Sequence, residues 1–185
     1  MSRPRSERVR RDVASPTPRR GTVVRYVLYA LVFLAGCWAG LWLSDGAPYQ
    51  LVAGPPDLGR ADFAAGNRPS NQFVACAAAD TGCREEGLTL AVVETDPATL
   101  VARVEAVASR QPRTVRVDDG SDPLHRRYVQ RSPLMRFPDT VSVDAVPVAG
   151  GTALRVSSRA QLGVDDFGAN EDRVRRWLAA LDGEV

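Results

Sequence analysis

The polar residues best suited to chemistry lie in two segments of the 185-residue chain, VQRSPLMRF (129–137) and SRAQLGVDDFGANEDR (158–173). Arginine side chains are forked donors that bind carboxylates and phosphates. Aspartates can pair with them, and free backbone N–H groups at the start of a helix favour an anion. The candidate cluster, structural or ligand-binding, consists of Arg131, Arg136, Asp139, Ser158, Arg159, Asp166, Asn170 and Arg173.

Three interpretations of this cluster are open. Its charges can form a lattice that holds a loop on a sheet, in which case Arg159 pairs with a buried carboxylate and its removal is strongly destabilising. The cluster can instead bind an anionic ligand or lipid headgroup. In the third interpretation, Asp165 or Asp166 is the general base of a hydrolase that acts on an anionic envelope substrate. A shared pocket with raised pKa values of Asp139, Asp165 and Asp166 would favour the hydrolase, and one-to-one burial against arginines would favour binding.

Evidence for an enzyme is thin, so catalysis is the less favoured interpretation and no catalytic residue is assigned. The chain has no G-x-S-x-G nucleophile elbow and no P-loop. Its one histidine, His125, follows a turn beside Arg126 and is predicted to be an exposed strand start. One histidine and three cysteines can hardly supply a zinc site, which needs about four ligands, so we predict no metal and no cofactor.

These two segments resemble a bacterial family of uncharacterised proteins, DUF1499. The resembling features are Arg131-Ser132, Arg136-Phe137-Pro138-Asp139, Ser158-Arg159, Gly163, Asp166, Gly168, Asn170, Arg173 and Trp177-Leu178, preceded by Asn71-Gln72-Phe73 and Cys76. The resemblance covers roughly residues 69–182, and Asp165 departs from the family pattern, in which a serine is commoner. It implies a membrane-associated or secreted domain and no established activity.

An apolar segment must hold this domain at a membrane. Residues 26–43 contain no charged side chain, and eighteen helical residues span about 27 Å, close to the hydrocarbon thickness of a bilayer. Tyr26 and Tyr29 lie near one end and Trp38 and Trp42 near the other, as is typical of side chains at membrane surfaces. We therefore predict one transmembrane helix over residues 26–43.

The charges beside this helix predict its orientation. Residues 1–25 contain eight arginines and two acidic residues, a balance of +6, and are predicted to be a disordered cytoplasmic tail. The chain would then cross the inner (cytoplasmic) membrane once and place its C-terminal domain in the periplasm or cell envelope. Residues 26–185 contain sixteen arginines but twenty acidic residues, so we predict no nucleic-acid partner.

An alternative anchor is a lipid on Cys37. The sequence Leu34-Ala35-Gly36-Cys37 resembles the lipidation site of bacterial lipoproteins, where the segment before the cysteine is removed. Apolar residues continue past Cys37 to Leu43, which favours an uncleaved helix. Both interpretations leave the domain tethered outside the cytoplasm.

The remaining residues predict a linker over 44–70, where glycine and proline are frequent, and a folded domain over 71–185. Asp96-Pro97 begins one predicted helix and Asn170 caps another. Strands are predicted at residues 113–118, 126–132, 140–148 and 152–158, and residues 88–95 are predicted to be a strand or an extended entry to the first helix. Short connections between them indicate an α+β fold, with an antiparallel four- to five-stranded sheet and two helices on one face.

The other two cysteines of the chain, Cys76 and Cys83, are seven positions apart. Outside the cytoplasm they are expected to form a disulfide, and the alternative is a pair of free thiols. The sequence thus predicts a membrane-anchored cell-envelope protein of unknown activity. Its partners would be the membrane that holds the anchor and, for the domain, an unidentified protein or a small anionic molecule.

Overall fold

The computed structural model describes residues 20–44, 47–84 and 87–183, and the chain divides into two compact units, 1–39 and 40–185. Residues 1–19 of the predicted basic tail lie outside the described residues. In chain order, the elements of the described residues are α1 (Arg20–Leu43), α2 (Ala47–Ala53), β1 (Gln72–Ala77), β2 (Leu88–Leu90), α3 (Pro97–Arg110), β3 (Thr114–Arg116), β4 (His125–Arg131), β5 (Pro138–Val148), β6 (Gly151–Ala160) and α4 (Ala169–Asp182).

The N-terminal helix α1 contains the apolar segment. Twenty of its residues, Gly21–Gly40, form a stretch long and apolar enough to cross a membrane, and none of that stretch is buried within the protein. A signal sequence near the N-terminus can also meet these criteria of length and apolar composition. The structure thus shows one candidate N-terminal apolar helix.

The sheet is larger than predicted. Six strands lie in the order β2-β1-β6-β5-β4-β3; β1 and β2 are parallel, and the other pairs are antiparallel. The α+β class and the antiparallel meander from β3 to β6 agree with the prediction, but the purely antiparallel four- to five-stranded sheet is wrong. The missed strand is β1, in which Val74 to Ala77 are buried in succession, so the sequence shows no polar–apolar alternation.

Helices α3 and α4 pack on one face of this sheet. The carboxylate of Asp96 accepts the N–H of Thr99 at 2.9 Å, as expected of a cap. The two helices bury Leu100, Val104 and Trp177 in a common core with strand residues. The rings of Trp177 and of Tyr128 on β4 pack in a T-shaped arrangement, with centroids 5.5 Å apart.

Part of the segment predicted as a linker, residues 54–68, lies against the opposite face of the sheet. We call these residues the cover segment. The N–H of Leu58 donates to Thr140 Oγ1 at 3.0 Å, and the N–H of Ala61 donates to Ser142 Oγ at 3.2 Å. Phe63 is buried. Hydroxyl groups of the sheet thus accept hydrogen bonds from backbone N–H groups of the cover segment, which is rich in glycine and proline.

Candidate functional site

A network of buried polar side chains surrounds Arg173 of α4. Its Nε donates to Gln130 Oε1 at 2.7 Å, and Nη1 donates to Ser158 Oγ at 2.8 Å and to Asn170 Oδ1. Its Nη2 donates to the carboxylate of Asp139. All five residues are buried, so the helix and three strands are joined by one guanidinium. Four of the predicted cluster residues, Asp139, Ser158, Asn170 and Arg173, therefore come together here.

The side chain of Asn170 extends this network to the loop that follows β6. Asn170 is fully buried, and its Nδ2 donates to the carbonyl of Asn71 at 2.8 Å. Asn71 Nδ2 donates in turn to the carbonyls of Ala160 and Gly163, at 3.1 and 2.7 Å. The prediction that Asn170 is the helix cap is therefore wrong, because this side chain is used inside the domain and Gly168, with φ of 82°, is the N-cap residue.

Burial and pairing act on Asp139 in opposite directions. Burial raises the pKa of Asp139, and the charge and hydrogen bond of Arg173 oppose that shift. A carboxylate removed from water is tolerated when a hydrogen-bonded cation accompanies it. The arrangement is what the lattice interpretation requires, since the guanidinium has its donors directed at groups of the protein itself.

Asp166 and Asp165 organise the loop before α4. Asp166 Oδ2 accepts the N–H of Asn170 at 2.7 Å, and Asp165 Oδ1 accepts the N–H of Phe167 at 2.8 Å. The two carboxylates also line a cavity of about 270 Å³ that Asp139 borders. The geometry therefore meets part of each criterion, because the three acids share a cavity while Asp139 is paired with Arg173.

The first segment of the cluster lies beside the network. Arg131 Nη1 donates to the carbonyl of Arg136 at 3.3 Å, within the loop that joins β4 to β5. Arg136 is buried and has φ of 60°. Its guanidinium lies 5.1 Å from the ring centroid of Trp42, a cation–π contact.

Arg159 does not belong to the network, so its predicted pairing with a buried carboxylate is wrong. It pairs in register with Gln72 and Thr140, and its side chain is exposed on the face opposite α3 and α4. Neighbouring residues of a strand point to opposite faces, so Ser158 and Arg159 cannot share a site. The buried Leu154 and Val156 mark the core face of β6, so alternation places Ser158 on that face and Arg159 on the other. The predicted strand ends at Ser158 and therefore does not include Arg159.

Arg159 instead lines a groove of about 280 Å³ between the sheet and the cover segment. We call it the Arg159 groove. No hydrogen bond or ion pair of the Arg159 side chain is found among the described residues. The hydroxyl of Ser157 accepts from Gln72 Nε2 at 2.9 Å, and that of Ser142 accepts from the cover segment. Each hydroxyl thus keeps its own proton to donate.

Other charges at the groove have partners. Arg60 pairs with Asp122 at 2.8 Å and with Asp144 at 3.0 Å. Arg68 donates to the carbonyls of Phe63 and Arg84. Among the described lining residues, the one carboxylate is that of Asp62, which accepts backbone N–H groups of the cover segment. In the part of the lining that the structure describes, Arg159 is thus the cation whose donors have no protein partner.

His125 is buried rather than exposed, which corrects the prediction. Its Nδ1 lies 2.6 Å from Asp144 Oδ1, and the two residues face each other across β4 and β5. Its Nε2 has no hydrogen-bond partner among the described residues. The aspartate is also bound by Arg60, so the histidine is part of the bonding that attaches the cover segment to the sheet.

The cysteines divide as the sequence suggests. Cys76 and Cys83 are joined by a disulfide that closes the loop after β1. Cys37 is a free, exposed cysteine within α1.

Comparison with known families places most of this domain in one group of sequences. A family model described as a protein of unknown function, DUF1499, matches residues 65–181. The match includes the Arg173 network and the strands beneath the Arg159 groove, and it begins within the cover segment. No curated protein matches the chain.

Proposed function

The chain belongs to DUF1499, a family of unknown function, and we propose that it is a membrane-anchored protein whose domain binds a small anionic ligand in the Arg159 groove. The observation that carries the proposal is the Arg159 side chain, which lies in a concave site and has no hydrogen-bond or ion-pair partner among the residues that the structure describes. A carboxylate or phosphate group would receive charge-assisted hydrogen bonds there. The hydroxyls of Ser157 and Ser142 supply further donors on the same face.

The size of the groove limits the ligand. Its volume of about 280 Å³ is at the lower end of ligand pockets, which typically enclose about 300–1,000 Å³. The lining combines hydroxyl, amide and guanidinium groups with the backbone of the cover segment. The ligand is therefore a small molecule with one or two anionic groups rather than a polymer or an acyl chain.

Binding of inorganic phosphate and of succinate to the full-length chain in detergent tests this proposal by titration calorimetry. Replacing the guanidinium should weaken binding by about tenfold or more, because a hydrogen bond to a charged group contributes roughly 1.5–3 kcal/mol. Arg159→Gln should show this loss. Arg176→Gln, which removes the same charge from an exposed position on α4, should bind as the wild type does.

Two results would overturn the anion site. One is that neither phosphate nor succinate gives a measurable heat of binding. The other is equal affinity in the wild type and in Arg159→Gln, which would place the bound anion elsewhere.

The anchor in this proposal is α1, with the N-terminus in the cytoplasm and the domain outside the inner membrane. Support comes from the arginine-rich flank and from the exposed apolar stretch Gly21–Gly40. A lipid on Cys37 is the alternative tether. The choice between them changes the attachment and leaves the groove as it is.

A hydrolase that uses Asp165 or Asp166 is the second candidate function. The cavity shared with Asp139 supports it. Against it, both aspartates accept backbone N–H groups of their own loop, so each carboxylate already has a structural partner. If the protein hydrolyses p-nitrophenyl phosphate and Asp166→Asn alone abolishes that activity, the hydrolase replaces the binding protein as the proposed function.

A further inference from the structure

Exposed apolar side chains are concentrated at one end of the domain. Three segments contain all the exposed large apolar side chains of the described residues after α1, except Leu58 and Val115. The three segments are α2, the loop 132–137 and the loop 161–168. Five of these side chains form a surface that we call the end patch: Leu51, Val52, Phe137, Val164 and Phe167.

The exposure of this patch is unusual for a folded domain. Leu51 and Val52 are each 89% exposed, Val164 is 87% exposed and Phe167 is 94% exposed. Single exposed apolar side chains are ordinary, but several together mark an interaction surface. Phe167 also has φ of 52°, a conformation that is uncommon for a bulky side chain and is held here by its hydrogen bond to Asp165.

Strand register shows why these segments meet. Arg131 pairs with Pro138 and Asp139 pairs with Ala160, so the loops after β4 and β6 leave the sheet at the same end. Gln161 Nε2 donates to the carbonyl of Ala53 at 2.9 Å. These contacts bring α2 to that end.

Chain connectivity limits the distance between this end of the domain and Leu43, the last residue of α1. Leu51 follows Leu43, the last residue of α1, by eight positions, a distance of at most about 28 Å along an extended chain. The ring of Tyr49 contacts Phe137, with centroids 5.0 Å apart. Arg136 also contacts the Trp42 ring, and tryptophan favours the membrane–water interface.

The charges beside the end patch suit an anionic lipid surface. Arg113 and Arg176 are exposed, and both line a cavity of about 560 Å³ at this end, with Asp172 as an exposed acid. No carboxylate pairs with Arg113 or Arg176 among the described residues. Arginines next to exposed apolar side chains are typical of surfaces that lie in the headgroup layer.

We propose that the end patch lies in the headgroup layer of the bilayer that α1 crosses, so that the domain rests on the membrane instead of extending freely from it. This inference depends on the membrane anchor of the proposed function and is independent of the anion site. Phe167 and Val164 would insert at the boundary between headgroups and acyl chains. Arg113 and Arg176 would face anionic headgroups.

Fluorescence quenching by spin-labelled lipid tests the inference in the full-length chain. The chain is reconstituted in vesicles of phosphatidylethanolamine and phosphatidylglycerol and carries one environment-sensitive label on Phe167→Cys or Val164→Cys, each in a Cys37→Ser background. A quencher near the headgroup should reduce the fluorescence at both positions. The same label on Ser121→Cys, an exposed position in the turn before β4 at the opposite end of the sheet, should lose no fluorescence.

A separate label on the native Cys37 distinguishes failure of the anchor from failure of the inference. Quenching at Cys37 by a spin label deep in the acyl chains reports that α1 is inserted. If Cys37 is quenched and positions 164 and 167 are not, the inference is wrong and the anchor stands. If Cys37 is not quenched, the anchor fails and the inference fails with it. A disulfide between two chains at position 167, formed without quenching, would assign the end patch to a second copy and overturn the membrane assignment.

Discussion

Arg173 supplies the charge that holds the α4 side of the domain together. It is buried, and its donors reach Gln130, Ser158, Asn170 and Asp139. Arg159 is one residue from Ser158 in sequence but lies on the other face of the sheet. Removal of the Arg173 side chain should therefore destabilise the domain far more than removal of the Arg159 side chain.

Arg173→Ala should lower the free energy of unfolding by about 3–5 kcal/mol, because it leaves the Asp139 carboxylate buried without its cation. Arg159→Ala should change it by less than about 0.5 kcal/mol, as surface substitutions usually do. Urea denaturation of the full-length chain in detergent measures both. Arg176→Ala, an exposed arginine on the same helix, is the control. Equal stability of Arg173→Ala and this control would refute a structural role for the network.

At the scale of elements, the turn between β3 and β4 depends on one carboxylate. Asp118 accepts Arg116 Nε at 3.1 Å, the N–H of Arg127 at 2.9 Å and the N–H of Gly120 at 3.1 Å. Although burial opposes the shift, these bonds hold the pKa of Asp118 well below its usual range. The charged form is therefore the one that stabilises the fold.

A lowered pKa in the folded state predicts the sign of the pH dependence. The contribution of Asp118 to stability is present above its unfolded pKa of about 3.9 and is lost as the pH falls below that value. Asp118→Asn should flatten the decline of melting temperature between about pH 5 and pH 2. Asp172→Asn, an exposed acid on α4, is the comparison. An unchanged pH profile in Asp118→Asn would contradict the assignment.

The loop between β1 and β2 depends on the cysteines. The chain-entropy relation gives the Cys76–Cys83 bond roughly 2–3 kcal/mol of stabilisation for so short a loop. Protein recovered from an oxidising compartment and denatured without reductant should take no alkylating reagent at either position. After reduction both should react. Two reactive thiols before reduction would show that the pair is free.

For the whole molecule, the testable property is topology. The arginine-rich N-terminus predicts that the end of the chain lies outside the cytoplasm. A reporter that is active only outside the cytoplasm, fused after residue 185, should therefore work, and a cytoplasmic reporter at the same place should not. The opposite result would reverse the orientation. A mature N-terminus at a lipidated Cys37 would replace the helical anchor by a lipid.

Local features were predictable because neighbouring residues determine them. The cap and first residue of α3, Asp96 and Pro97, act within one helical turn, and the meander from β3 to β6 follows from short turns between alternating segments. The apolar length of α1 is likewise a property of consecutive residues. These elements, the family and the α+β class were accessible from the sequence.

Tertiary packing decided the rest. The alternation of a strand shows that Ser158 and Arg159 face opposite ways, but only the positions of α4 and the cover segment determine what each side chain meets. The same packing buries successive residues of β1 and buries His125 against Asp144. It also directs the Asn170 side chain into the interior, so that Asn170 is not the helix cap. Sequence alone therefore determined the local elements and the residue types of the candidate site. The tertiary structure decided which arginine is buried in a polar network and which is exposed in a groove, because burial depends on contacts between residues far apart in the chain.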